Sequence, residues 1–287
     1  MSFLSYSRYS RYSRCSRYSR GAFFSRTVGA LLPLLLLASA AHAQKAGRVR
    51  RMGEVLLTAG YGTAQIKWPT FEAFLASYNR VNAAELTAPA ALARGTTQSV
   101  GILMAGCCYL GYQRTASNFE GRFTNGTTRR FEVRQGLCVV SIEPRFFIAR
   151  RFFIGPTGAM VGGTSRVGIS FRYPDGTESW GRETRLSGQY TGTVLAFTAG
   201  VKAGVNLGPA LVQVKADYMP TGKPRTGIRD RIPSGAGLDE LPTDYEAYLA
   251  GLNNPNNTFA LVPNPVGYDL GGIRVAVEVG LRLNRAD

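Results

Sequence analysis

The chain has 287 residues, of which 45% are hydrophobic and 18% charged, with a formal net charge of +16. Its single histidine, His42, lies in a segment that we expect to be removed. A mature chain without histidine cannot use Ser-His-Asp or Cys-His catalysis, and it cannot bind zinc or iron through histidine. We therefore expect no enzymatic activity, no catalytic residue, no metal site and no cofactor.

Residues 1–43 have the layout of a removable signal peptide. A Tyr-Ser-Arg repeat rich in arginine precedes an apolar run from Val28 to Ala38, and Ala41-His42-Ala43 supplies a small-x-small cleavage pattern. The apolar run is too short to be a membrane-spanning helix. We predict cleavage after Ala43, followed by a short basic segment over residues 44–52 and a folded domain over residues 53–287.

The mature chain stays basic. Its net charge falls only from +16 to +10 when the six leader arginines are removed. For an exported chain this favours an anionic partner, such as lipopolysaccharide phosphates or acidic glycans, and argues against nucleic acid. The alternative is structural, because arginine also concentrates at membrane interfaces and inside barrels.

Strand patterns recur along the folded domain. In chain order we predict strands over Glu54–Gly62, Ser99–Gln113, Ser117–Thr124, Thr127–Phe147, Gly158–Tyr173, residues 193–206, residues 212–218 and Gly271–Asn284. A helix is predicted over Pro69–Tyr78, where Phe71, Phe74, Leu75 and Tyr78 have the spacing of one helical face. We expect this helix to pack over a barrel rim; the alternative is a helix that binds a partner.

The last strand has the clearest pattern. Ile273, Val275, Val277, Val279, Leu281 and Leu283 alternate with charged or small residues. Successive side chains of a strand point to opposite faces, and about 9–11 residues of tilted strand cross a bilayer core. This segment is therefore long enough to span a membrane with its aliphatic face towards lipid.

The connections alternate between long and short. Long segments cover Thr63–Thr97, Pro174–Tyr190 and Pro220–Gly267, whereas Asn125-Gly126 is a strong signal for a tight hairpin. Short turns at one end and long loops at the other are typical of membrane barrels. The predicted fold is all-β: an antiparallel up-and-down transmembrane β-barrel of about eight strands, with a short helix in the first long loop.

If the aliphatic faces point outward, charges of both signs point into the lumen. The predicted inward set is Glu54, Arg166, Arg172, Lys202, Lys215, Asp217, Arg274, Glu278 and Arg282. An eight-stranded barrel is only just wide enough for its own side chains, so these groups are expected to pair and plug it. The alternative is a narrow channel.

Three cysteines remain in the mature chain: Cys107, Cys108 and Cys138. Neighbouring residues of a strand face opposite ways, so at most one of the first two can pair with Cys138. A disulfide to either of them and three small buried side chains are both compatible with the sequence.

The chain resembles small outer-membrane β-barrel domain proteins of the Bacteroidetes type, with eight-stranded barrels like those of OmpA and OmpX. The resemblance covers about Gly53 to Asn284 and rests on the Gly60-Tyr61-Gly62 strand, the alternating strands and the terminal segment. It lacks the C-terminal aromatic residue that is typical of many such barrels. The resemblance implies an outer-membrane location but no specific activity.

We expect an outer-membrane barrel with a structural or surface-interaction role, whose outer surface is formed by the long loops. One alternative is a narrow channel or a secretion-associated outer-membrane component. The other is a soluble periplasmic β-sandwich that binds a ligand.

Overall fold

The computed structural model describes residues 54–179, 186–220, 236–237, 241–252, 266–267 and 269–283. The predicted signal peptide, its cleavage site and the basic segment over residues 44–52 lie outside the described residues and stay predictions.

Eight long strands form one closed antiparallel barrel. They are β1 Val55–Lys67, β2 Gly95–Met104, β3 Cys108–Phe123, β4 Thr128–Ile142, β5 Phe152–Arg172, β6 Gly188–Asn206, β7 Ala210–Met219 and β8 Gly271–Arg282. Each strand pairs with the next, and β8 closes the barrel against β1 with Ala59 opposite Val279. The predicted up-and-down barrel of eight strands is confirmed.

Four short strands lie beside the barrel strands. Leu86–Ala88 pairs with β3, Phe146–Phe147 and Glu178–Ser179 pair with β5, and Ala236–Gly237 pairs with β6. They extend the sheet locally without interrupting its closure, because every long strand keeps its two neighbours.

The two ends of the barrel differ in their connections. At the turn end, residues 105–107, 143–151 and 207–209 join successive strands; at the loop end, the connections cover residues 68–94, 124–127, 173–187 and 220–270. Within the described part of the loop end lie two helices, α1 Pro69–Val81 and α2 Tyr245–Leu252. Neither described helix has the length and apolarity of a membrane-spanning segment.

The first turn-end connection corrects one sequence-based boundary. A single strand over Ser99–Gln113 was predicted, but the chain reverses at Ala105 and Gly106, which have φ angles of 50° and 69°. The left-handed region suits tight hairpin turns. The unbroken apolar run around these residues hid the turn, and β3 then continues through the predicted break before Ser117.

Helix α1 forms where the sequence predicts it. Pro69 occupies its first turn, where a missing N–H costs nothing, and the backbone N–H of Trp68 donates to the Glu72 carboxylate at 3.2 Å. The apolar face is buried, with Phe71 and Phe74 both at 0% exposure. The helix thus packs its aromatic stripe against the barrel instead of presenting it to solvent.

In the half of the barrel nearest the turn end, aliphatic side chains point outward. The apolar belt comprises the outward side chains Leu57, Tyr61, Val100, Ile102, Leu110, Tyr112, Phe197, Val201, Val214, Tyr218, Ile273, Val275, Val277, Val279, Leu281 and Leu283, which are 38–70% exposed. On β8 the alternating positions Arg274 and Glu278 are buried. This facing agrees with the alternation of the sequence.

On β5 the odd-numbered residues point inward, and near the loop end these residues are aliphatic. Val167 and Ile169 are completely buried, whereas Arg166 and Arg172 are exposed. The prediction that Arg166 and Arg172 point into the lumen is therefore wrong. It assumed a lipid-facing aliphatic side along the whole strand, but here the aliphatic side packs inward beneath the loops.

Among the described residues, Cys107, Cys108 and Cys138 form no disulfide. Cys138 lies opposite Tyr112 on the outer face of β4, and Cys108 lies opposite Ile142. Four residues of strand separate the two positions, about 13 Å at the usual rise. A disulfide needs Cα atoms within about 7 Å, so the pairing of Cys138 with Cys108 is excluded, and Cys107 lies one residue further away.

Candidate functional site: the barrel interior and the loop end

Glu143 holds the most deeply buried ionic cluster, at the turn end of the lumen. Its carboxylate accepts from Lys215 at 2.6 Å, from Lys202 at 3.2 Å and from the Ser141 hydroxyl at 2.6 Å. Lys202 also donates to the Glu143 carbonyl at 2.8 Å. The two lysines predicted from the sequence thus lie in the lumen around one shared carboxylate.

Glu54 forms a second cluster at the same end. Arg145 donates to one carboxylate oxygen in a short contact, and Arg282 donates to the other at 2.7 Å. Arg145 also donates to the Gly106 carbonyl at 3.3 Å. The cluster ties β1, β8 and two turn-end connections together.

A polar layer lies above these clusters. Glu278 accepts from Gln213 at 2.7 Å and from Ser99 at 3.2 Å. Asp217 accepts from Thr157 at 2.6 Å. Its other oxygen lies 3.5 Å from Lys215, so this layer is connected to the Glu143 cluster.

Arg274 occupies the middle of the lumen without a carboxylate in contact among the described residues. It donates to Gln135 at 3.1 Å and to Gln113 at 3.4 Å. A cavity of about 20 Å³ beside it is lined by Asp217, Glu278 and Lys215, among others. This volume holds about one water molecule, so side chains fill the lumen at this level.

Glu143 and Arg145 were missed by the sequence analysis, although the signal was present. Odd-numbered positions from Phe131 to Arg145 are all buried. Extending the period of two past Ile142 would have placed both side chains inward. Pro144 obscured this, because a proline cannot donate to the ladder and suggested a kink.

The misplaced arginines belong to a surface that we call the arginine stripe. It lies on the outer faces of β3, β4 and β5 near the loop end and consists of Arg114, Arg122, Arg130, Arg134, Arg166 and Arg172. Arg134 stands directly opposite Arg166. Three acidic residues offset part of the charge: Glu132 accepts from Arg134 at 2.6 Å, Glu178 accepts from Arg130 at 3.0 Å, and Glu120 stands opposite Arg130 on β3.

An aromatic cluster fills the loop end. Phe119 and Phe131 stack with centroids 5.3 Å apart, and Phe74 of α1 meets Phe131 edge-on at 6.4 Å. Tyr78 packs against Phe131 at 5.7 Å. Burial raises the pKa of Tyr78 to about 12, so its hydroxyl remains protonated at neutral pH.

The last long connection is fastened to α1 by polar contacts. Trp68 donates its indole N–H to the Gly267 carbonyl at 2.8 Å, and the Ser77 hydroxyl donates to Asp244 at 3.0 Å. The backbone N–H of Ala247, with the Ser77 hydroxyl, holds the pKa of the Asp244 carboxyl below its usual range. Asp244 thereby begins α2 and anchors it to α1.

Within the part of the chain that the structure describes, no group of three or more histidine, cysteine, aspartate or glutamate side chains is placed to hold a metal ion. The buried carboxylates are already engaged by lysine, arginine or amide donors. The lumen residues therefore serve to fill and cross-link the barrel.

No protein-family model and no curated protein matches the chain. Among solved structures, the barrel is similar to Ail, the attachment invasion locus protein of Yersinia pestis. One Ail structure, in complex with the heparin analogue sucrose octasulfate, is 11% identical with a TM-score of 0.36. Another is 12% identical with a TM-score of 0.30, and in both cases the match covers 80% of this chain and 99% of Ail. Neither likeness identifies what this chain binds.

Proposed function

We propose that the chain is a non-enzymatic outer-membrane β-barrel of a Gram-negative bacterium, with a plugged lumen and a loop end that interacts with anionic molecules outside the cell. The apolar belt carries this proposal. On β8 it runs from Ile273 to Leu283, which at the usual rise and tilt gives a height of about 25 Å, the height of the apolar band of membrane barrels.

A soluble barrel would not expose such a belt. Phe197 is 70% exposed and Val277 52% exposed, and water around a closed band of this kind is unfavourable. The interior is correspondingly polar, which is the arrangement of a barrel surrounded by lipid. These two faces argue against the soluble β-sandwich considered from the sequence.

The filled lumen argues for a plugged barrel instead of a channel. Glu143, Lys202 and Lys215 close the turn end, and Arg274 with its amide partners crosses the middle. We expect planar bilayers containing the protein to show no stepwise conductance. Regular conductance steps would contradict the plugged barrel and show that the protein is a channel.

The arginine stripe lies beyond the belt, at the height where lipid headgroups would be. On β3 the outward side chains change from Leu110 and Tyr112 to Arg114. Like charges directly opposite each other on a sheet are unfavourable, yet Arg134 faces Arg166 across β4 and β5. A phosphate between them would remove this repulsion and accept bidentate hydrogen bonds, which supports lipopolysaccharide phosphates as the partner.

The location is tested by cell fractionation and by electrophoresis with and without boiling. We expect the protein in the outer-membrane fraction and a folded form that migrates differently until it is boiled. A periplasmic protein whose migration ignores boiling would contradict the proposal.

The stripe is tested by replacing Arg134 and Arg166 together with glutamine. Stabilisation of the barrel by phosphorylated lipopolysaccharide, compared with a dephosphorylated preparation, should fall in this double variant. The matched control replaces Arg150 and Arg151, which are exposed at the turn end. An equal loss in both double variants would show an effect of total charge and not of the stripe.

A further inference from the structure

A pocket opens at the loop end, above the aromatic cluster. Its volume is about 350 Å³, and its walls come from α1 and from the loop-end parts of β3, β4 and β5. This is within the range of small-molecule sites, about 300–1,000 Å³. The pocket is distinct from the lumen network and from the arginine stripe, which faces outward.

Among the residues that the structure describes, Arg129 in the floor of this pocket has no acidic partner. Its side chain is 2% exposed, and its Nε donates to no acceptor. The guanidinium lies 3.8 Å from the ring centre of Phe171 and 5.9 Å from that of Tyr78. It therefore packs against aromatic rings, and the buried Nε–H has no acceptor among the described residues.

Four other buried cations have hydrogen-bond acceptors among the described residues. Lys202, Lys215 and Arg145 each contact a carboxylate, and Arg274 donates to the side-chain carbonyls of Gln135 and Gln113. A buried charge without a partner is costly, and an arginine can bind an anion through two parallel hydrogen bonds. The position of Arg129 is thus suited to an anionic group that enters the pocket.

The remaining walls fit a sugar ring. Phe123, Tyr173 and Tyr245 line the pocket with aromatic surface, against which the apolar face of a pyranose can pack. Asn82 and Asn125 add amide groups, each with one of its two ends already engaged: Asn82 donates to the Tyr78 carbonyl at 2.7 Å, and Asn125 accepts from the Thr127 N–H at 2.9 Å.

The hydroxyl groups of a ligand can form hydrogen bonds with the remaining polar groups of the pocket. The free carbonyl of Asn82 accepts, the free amide of Asn125 donates, and the exposed carboxylate of Glu85 accepts. An aromatic acid would use Arg129 and the rings but none of these three groups. A sugar that carries one acidic group uses all of them.

We propose that the pocket around Arg129 binds a single sugar residue bearing one carboxylate or sulfate group, as part of a surface glycan. The acidic group lies on the Arg129 guanidinium, and the ring lies against the aromatic wall. This deepens the proposed surface-interaction function and rests on it, since the pocket faces the cell exterior only if the loop end does.

The test measures binding to the whole protein in detergent by saturation-transfer NMR. The probes are glucuronic acid, glucose 6-sulfate, glucose and benzoate. We expect glucuronic acid or glucose 6-sulfate to bind at least tenfold more tightly than glucose and benzoate, and the stronger of the two identifies the acidic group. Equal binding of glucose, or tighter binding of benzoate, would overturn the proposal.

The residue is tested with Arg129→Gln, which should weaken binding of the acidic sugar at least tenfold. Arg130→Gln is the matched control. Arg130 is next to Arg129 in the sequence, but its side chain lies on the outer face and pairs with Glu178. This variant should bind the acidic sugar as tightly as the wild type. Unchanged binding in Arg129→Gln, or no binding to the wild-type protein, would overturn the proposal.

Folding is checked separately in every variant. Because Arg129 has no ionic partner in the described part of the chain, Arg129→Gln should keep the boiling-dependent migration and a thermal stability at least equal to wild type. A large loss of thermal stability would show that Arg129 is structural and would count against a ligand site. A protein that migrates as a barrel but binds no acidic sugar would refute this inference and leave the outer-membrane proposal standing.

Discussion

The two halves of the barrel are built in opposite senses. Towards the turn end, the charged and amide side chains around Glu143 share the interior with apolar ones such as Leu103, while aliphatic residues such as Val277 cover the outside. Towards the loop end, Phe119 and Phe131 fill the interior, while Arg134 and Arg166 cover the outside. On β5 the outer face changes along the strand, from Phe152 and Ile154 near the turn end to Arg166 and Arg172 near the loop end, whereas the inward residues are largely apolar throughout.

The difference follows from what surrounds each half. Lipid outside requires an apolar exterior, and the polar side chains are then collected inside, where they must pair. Water outside permits an ordinary hydrophobic core, which the aromatic cluster and α1 supply. On the proposed outer-membrane location, the change on the outer face marks the edge of the membrane more directly than the belt does alone.

The largest expected effect comes from breaking the polar interior at Glu143. Glu143→Gln leaves Lys202 and Lys215 buried without a carboxylate between them. Loss of one partner of a buried ion pair costs about 3–5 kcal/mol. Denaturant unfolding of the refolded protein should show this loss in the free energy of unfolding.

The control for this change is Glu132→Gln on the outer face of the loop-end half. Glu132 pairs with Arg134, whose side chain is 51% exposed, and exposed pairs contribute about 0–1 kcal/mol. If both variants lost similar stability, the interior cluster would not be the structural element that we infer.

A new arginine on the outer face tests the two surroundings directly. Val277 lies near the middle of the belt, and an arginine facing the bilayer midplane costs about 2–4 kcal/mol. Asn118 faces outward on β3 in the loop-end half, where a change to arginine should cost less than about 0.5 kcal/mol. The measurement is the free energy of unfolding in phospholipid bilayers.

Equal costs for Val277→Arg and Asn118→Arg would contradict the placement of the membrane edge between them. A higher cost for Asn118→Arg would place Asn118, and not Val277, in the membrane. Repeating both variants in detergent without bilayer separates the effect of lipid from that of local packing.

The sequence was sufficient to predict the barrel but not to predict which side of β5 faces outward near the loop end. Alternation identified β8 and its neighbours, and turn chemistry identified Asn125-Gly126, because both are local signals. Facing on β5 is not local: the alternation of Val167 and Ile169 suggests a lipid-facing row, but both side chains belong to the buried core that also contains the aromatic face of α1. Arg166 and Arg172 were misplaced for that reason.

The ionic partners were predicted only in part for a similar reason. Lys202, Lys215 and Glu278 lie on regular strands, so the period of two placed them inside. Glu143 and Arg145 lie beyond a strand end, where the pattern passes through Pro144. The pocket around Arg129 was not predicted at all, since it depends on α1, β4 and β5 meeting in space.

The smallest expected effect concerns Tyr78 and shows whether the loop-end core excludes water. The pKa of Tyr78 is raised to about 12 from its ordinary value of 10.0 because the side chain is buried. Below pH 10 the folded and unfolded chains both keep the phenolic proton, so the Tyr78 ionisation does not reduce the free energy of unfolding. Above pH 10, the unfolded chain loses the proton first, so the free energy of unfolding falls as the pH rises towards 12.

Each pKa unit of difference corresponds to about 1.4 kcal/mol, so between pH 9 and 11 the wild type should lose on the order of 1 kcal/mol more than Tyr78→Phe. Unfolding curves that stay parallel over this range would mean that solvent reaches Tyr78, and the loop-end interior would then be an open mouth and not a core.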